Sequence, residues 1–190
     1  MKKIAEILTR YVIKFGGVSE EMYEVYQYGF QIGLEMSSCF LVCLAIAVYL
    51  HMFLEFIVFS AIFILLRSYA GGAHLKGFAS CFICSVAVQT GTLLLHSRIV
   101  LPMPVAAGSL LLCGFLIYAL APVEHVNRRL DEDEKKLYKK KTLFILCGVL
   151  IFSAVCSMCG RNDLVSLAAL SLFVVFVSQI AGVLIGNMHQ

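Results

Sequence analysis

Arg67-Ser68-Tyr69-Ala70-Gly71-Gly72-Ala73-His74-Leu75-Lys76-Gly77-Phe78-Ala79-Ser80-Cys81 is a small polar island in an otherwise oily chain. An apolar run from about Met52 to Leu66 precedes it, and another from about Phe78 to Leu95 follows it. Two such runs joined by a short polar stretch read as two membrane-crossing helices with the island at a membrane face. The island also holds a histidine that can act as a base and a cysteine that can act as a nucleophile. Its paired glycines let backbone approach a substrate closely.

Working outward, the rest of the chain agrees with that reading. Of its 190 residues 61% are hydrophobic and only 14% charged, with a mean hydropathy of +0.91. A soluble domain of this size has no use for so much apolar surface, so the class is integral membrane protein. Long Leu/Ile/Val/Phe runs and only 3 prolines favour helices over a barrel, whose strands would alternate in polarity. The fold class is therefore all-α and polytopic. The first residues are charged but lead into no apolar run, so a cleavable signal peptide is not expected. No nucleic-acid partner and no cofactor is expected.

Residues 3 to 15 are amphipathic. Ile4, Ile7, Leu8, Tyr11, Val12 and Phe15 follow helical spacing, with Lys3, Glu6, Arg10 and Lys14 opposite. Such a helix can lie in the membrane interface or pack on a partner. The amphipathic segment covers 1–17 and ends at Gly16-Gly17. Ser19 is then placed to cap the next helix, with Glu20 and Glu21 in its first turn. Spans follow at about 26–50, 52–66, 78–95, 105–120, 142–158 and 164–185. The second is short for a bilayer crossing, which takes roughly 20 residues. Residues 122–141 form the one long hydrophilic loop, and the whole of 1–190 reads as one domain.

Lys and Arg set the orientation. With the N-terminus inside, the inner segments hold Lys2, Lys3, Arg10, Lys14, Arg67, Lys76, Arg128, Arg129, Lys135, Lys136, Lys139, Lys140 and Lys141. The outer loops hold only Arg98 and Arg161. Both termini and the island are therefore expected at the cytoplasmic face, with Cys81 about one turn into the third span.

A cysteine attacks as its thiolate, so it needs a base or a positive field beside it. His74 is the obvious base, and Arg67 and Lys76 add positive charge. A spacing of seven puts His74 and Cys81 about 10 Å apart along an ideal helix, too far for a hydrogen bond. A Cys81–His74 pair therefore needs His74 on a loop that folds back. Backbone N–H groups around Gly71 and Gly72 can also supply an oxyanion hole. Cys84 competes, because Cys81 and Cys84 form Cys-x-x-Cys, and a thiol oxidoreductase is one alternative. Such proteins usually keep their dithiol on the oxidising side, whereas the charge count puts this one inside. A non-enzymatic peptide exporter or scaffold is another. The spacing of His74, Cys81 and Cys84 matches no strong zinc pattern.

Other polar residues carry paired readings. Lys135, Lys136, Lys139, Lys140 and Lys141 can bind an acidic substrate tail or contact anionic headgroups. Asp131, Glu132, Asp133 and Glu134 suggest a solvated helix with i,i+4 pairs. Glu124 and His125 can reach the site from their loop, with His125 a second candidate base. Glu35 lies inside the first span, where a carboxylate either lines a cleft or bonds to Gln31 or Gln89. Cys156 and Cys159 are either a disulfide or two membrane-packed thiols.

The run Arg67-x-x-x-Gly71-Gly72-x-His74, with Cys81 seven residues on, resembles the accessory gene regulator B (AgrB) family of quorum-sensing propeptide-processing membrane peptidases. The resemblance takes in the amphipathic start, Tyr28-Gly29 opening the first span, the six-span pattern, and the segment Ala121-Pro122-Val123-Glu124-His125-Val126-Asn127-Arg128. The proline usual after the basic residue at this point is Arg129 here. The resemblance implies that Cys81 and His74 are catalytic. It implies an AgrD-like propeptide as substrate, cleaved near its C-terminus through a Cys81 thioester and cyclised to a thiolactone or lactone. Arg67 matches a family position and either steadies the site, holds the substrate carboxylate or anchors the inner face, Glu124 and Arg128 are weaker candidates for substrate contact, and the resemblance implies a homodimer in the cell membrane.

Overall fold

The computed structural model of the chain describes residues 2–16, 19–72, 77–123 and 131–187, with side chains as far as residue 185. Every regular element among them is helical: α1 (Lys2–Gly16), α2 (Tyr23–Tyr49), α3 (Phe53–Ala70), α4 (Phe78–Arg98), α5 (Met103–Leu120), α6 (Glu132–Met158) and α7 (Asn162–Asn187), with a 3-10 turn at Glu20–Met22. Six of these helices are long and apolar enough to cross a membrane. The chain forms two compact units, Met1–Ile46 and Ala47–Gln190.

In the first unit α1 is strongly amphipathic, yet it packs through small residues. Ala5 and Thr9 are buried, and the Thr9 hydroxyl donates to the Ala5 carbonyl at 2.8 Å. The apolar row (Ile4, Ile7, Tyr11, Phe15) stays exposed. An exposed apolar row opposite a basic face suits a helix lying in a lipid interface. Gln27 Nε2 donates to Glu6 Oε1 at 3.4 Å, linking α2 to α1. Ser19 caps the turn ahead of α2 by accepting from the Glu21 N–H at 3.3 Å, as its sequence position suggests.

In the second unit α7 is the central helix. It packs on α3, α4, α5 and α6, and Val165, Ser166, Leu167, Ala168, Ala169, Ser171, Leu172, Val175 and Gln179 are all essentially inaccessible. Lipid tails are as apolar as leucine, so membrane helices associate through close packing and interhelical hydrogen bonds. Small residues at the contacts, such as Ala106, Ala168, Ala169 and Ser153, permit that approach. Bulk faces outward instead: Ile83, Leu111, Leu112, Phe115, Phe144 and Ile151 are all exposed.

The spans are longer than the hydropathy runs. The second covers Phe53–Ala70, 18 residues, because Arg67, Ser68 and Tyr69 of the island continue the helix. The fifth belongs to a helix of 27 residues, because the acidic and basic turns before it are helical too. The hydrophilic segment 122–141 is thus helix from Glu132 onward. Asp131 starts it with a capping box, accepting from the Glu134 N–H at 2.7 Å.

Candidate active site

The site grows from the end of α3. A helix leaves its last carbonyls without intrahelical partners. Here the Ala70 carbonyl accepts from the Val123 N–H and from Gln179 Nε2, each at 3.0 Å. Gln179 is fully buried and also reaches the Ile117 carbonyl at 3.4 Å. One α7 side chain therefore ties together the ends of α3 and α5.

Beyond Ala70 the chain turns sharply at Gly71 (φ +80°) and Gly72 (φ +150°). Side chains other than glycine seldom adopt this backbone. Space forbids them as well. A Cβ on Gly71 would overlap the Val123 carbonyl oxygen, and one on Gly72 would overlap the Arg67 guanidinium and sit 2.9 Å from Ser178 Oγ. The paired glycines are needed because backbone, guanidinium and α7 meet here with no room between them.

Arg67, in the last turn of α3, is half-buried. Its Nη1 donates to the Ser178 hydroxyl of α7, and its guanidinium lies 5.7 Å from the Phe63 ring centroid. It is also within electrostatic range of the Cys81 and Cys84 thiols. Arg67 is therefore a half-buried cation held against α7, on the same end of the unit as the candidate nucleophile.

Cys81 is the fourth residue of α4, half-buried, and its N–H donates to the Gly77 carbonyl at 3.3 Å. The first turn of a helix carries partial positive charge, which favours an anion there. The Cys81 sulfur thus has two sources of positive field, the helix start and Arg67. Cys84 is exposed one turn on, and all eight cysteines are free thiols. Cys156 is buried and Cys159 exposed. The Ser80 hydroxyl donates to the Gly77 carbonyl at 3.0 Å.

The basic start of α6 borders the same end of the unit. Tyr138 meets Tyr69 edge-on at 5.7 Å between centroids. Lys141 lies 4.7 Å from the Tyr69 ring and Lys139 4.9 Å from the Tyr118 ring. The acidic residues here pair at i,i+3 rather than the expected i,i+4: Lys135 with Glu132 at 3.1 Å, and Lys136 with Asp133 at 3.3 Å. Asp131 is engaged as the cap, which leaves Glu132 and Asp133 to the lysines one turn on.

Glu35 accepts from Gln31 Nε2 at 3.0 Å within the first unit, so of the partners expected for it Gln31 is the one observed. His74, Lys76, Glu124, His125 and Arg128 lie outside the described residues. Ser178 and Gln179 were not singled out from the sequence. Gln179 carried a usable signal, a fully polar side chain inside an apolar span.

These features define a polytopic helical membrane protein with a cysteine at a helix start beside a buried arginine and a glycine bend. The chain matches the family model for accessory gene regulator B over residues 1–181, and it belongs to that family. Membership places it in the processing of a quorum-sensing peptide, with an AgrD-like propeptide as substrate, and its six apolar helices make it a multi-pass membrane protein. No curated protein and no solved structure matches the chain.

Proposed function

We propose that the protein is a membrane cysteine endopeptidase and cyclase acting on its AgrD-like propeptide, with Cys81 as nucleophile and His74 as base. The observation that carries this is the placement of Cys81 in the first turn of α4 within the field of Arg67, in a chain of the AgrB family.

The Cys81 thiolate attacks the backbone carbonyl at the cut site, and the oxyanion that forms is met by backbone N–H groups of the Gly71-Gly72 bend. The C–N bond breaks, and the leaving amine of the C-terminal tail takes the proton that His74 had received from Cys81. The rest of the peptide stays on Cys81 as a thioester. A thiol or hydroxyl of the same peptide then attacks that carbonyl while His74 takes its proton, the Cys81 sulfur leaves and recovers that proton, and the ring closes. A tethered nucleophile outcompetes water because it is already positioned. Glu35 and the Glu124–Arg128 segment are assigned to substrate contact, and Lys139 to the acidic tail. The island lies at the cytoplasmic face, both termini are inside, and the protein works as a homodimer.

The test is processing of the propeptide by Cys81→Ala and His74→Ala proteins that insert normally in the membrane. Loss of cleavage in both is expected. Unchanged cleavage in either overturns the assignment. If Cys84→Ala alone abolished function, the dithiol reading would replace it.

A further inference from the structure

We propose that the outward-facing groove between α3 and α6 binds one anionic phospholipid, with its phosphate on Lys140 and Lys141 and the upper part of an acyl chain on the apolar floor below. The groove has a volume of about 420 Å³ and is lined by Leu65, Tyr69, Leu137, Lys140, Lys141, Phe144 and Ile145.

Its chemistry is divided along its length. Lys140 and Lys141 are the last cations of α6 before its apolar run begins at Thr142. Phe144 and Ile145 lie about one turn further along, roughly 6 Å deeper. Tyr69, at the rim, belongs to the residue type that concentrates where hydrocarbon gives way to headgroups. An occupant at this depth must therefore be anionic at one end and hydrocarbon at the other.

The two lysines are available for it. Lys135 and Lys136 are engaged by Glu132 and Asp133, whereas Lys140 and Lys141 have no carboxylate partner among the described residues. Lys141 is held 4.7 Å from the Tyr69 ring, so its ammonium is fixed at the rim. Phe144 is 80% exposed, which is costly in water but suits contact with an acyl chain. The groove sits at the same end of the unit as Arg67 and Cys81, so an occupant there would also brace the end of α3.

Native mass spectrometry of the full chain, released from detergent with phosphatidylglycerol or phosphatidylcholine of identical acyl chains, tests this. Phosphatidylglycerol is expected to bind roughly tenfold more tightly. A K140Q/K141Q protein should lose that preference, and a K135Q/K136Q protein, with the same change in charge, should keep it. Glycerol phosphate, the headgroup without chains, should not displace the lipid. Equal affinity for the two lipids, or equal loss in both double variants, would reduce the groove to non-selective lipid contact and overturn the proposal. Displacement by glycerol phosphate would overturn it too, since the apolar floor would then play no part. A single monodisperse peak confirms the fold of both variants.

Discussion

Arg67 of α3 donates its Nη1 hydrogen to the Ser178 hydroxyl of α7, across 111 positions of sequence. The bond holds a half-buried guanidinium against the glycine bend. A cation in such a place needs a partner to hold it, because an unrestrained arginine turns toward water.

Replacing Ser178 by valine should therefore weaken Cys81 chemistry without unfolding the helix bundle. A hydrogen bond to a charged group is worth about 1.5–3 kcal/mol, so propeptide cleavage should fall by roughly one to two orders of magnitude. Ser178→Thr, which matches valine in size but keeps the hydroxyl, should retain most activity. Equal losses in the two variants would assign Ser178 to packing alone.

Gln179→Met tests the link between the ends of α3 and α5. Methionine keeps the volume but donates nothing, so the Ile117 carbonyl loses a partner and the Ala70 carbonyl keeps only Val123. The cost is about 1–3 kcal/mol. A thermal scan in detergent should show a melting temperature several degrees lower, and an unchanged temperature would refute the role.

Gly72→Ala should be more damaging to function than to folding. It places a Cβ against the Arg67 guanidinium and Ser178 and holds alanine at a backbone conformation costing about 1–3 kcal/mol. Membrane insertion should persist while cleavage drops at least tenfold, as read by an immunoblot of membrane fractions beside a cleavage assay.

Much of the fold was legible because bilayer chemistry leaves few options. Six apolar runs became six apolar helices, and each misjudged boundary has a local cause. Residues Arg67–Tyr69 looked like loop because they are polar, yet they complete α3. The acidic run Asp131–Glu134 read as solvated helix from its charge pattern, and it is the capped start of α6, with its pairs at i,i+3 rather than i,i+4. Cys81 and the glycine pair stood out by their chemistry, and the structure puts them at the start of α4 and just past the end of α3. Ser178 did not, since its importance lies in a contact to α3 that no local pattern encodes. The test that drew attention to Glu35, a polar group in an apolar span, applied equally to Gln179.

Asp131→Ala isolates the start of α6. Losing an N-cap costs about 1 kcal/mol, and the capping box here is exposed and local. Hydrogen exchange at the amides of residues 132–135 should accelerate about fivefold, with cleavage reduced little. Unchanged exchange would mean that the helix start draws its stability from elsewhere.

The most direct test is a mass spectrum of the purified protein after incubation in liposomes with its propeptide. The account predicts a mass gain on the Cys81 peptide equal to the truncated propeptide, removed by hydroxylamine and missing from the Cys81→Ser protein. Cleavage of the tail by folded protein with no such adduct at any time, or an adduct on Cys84 instead, would contradict it.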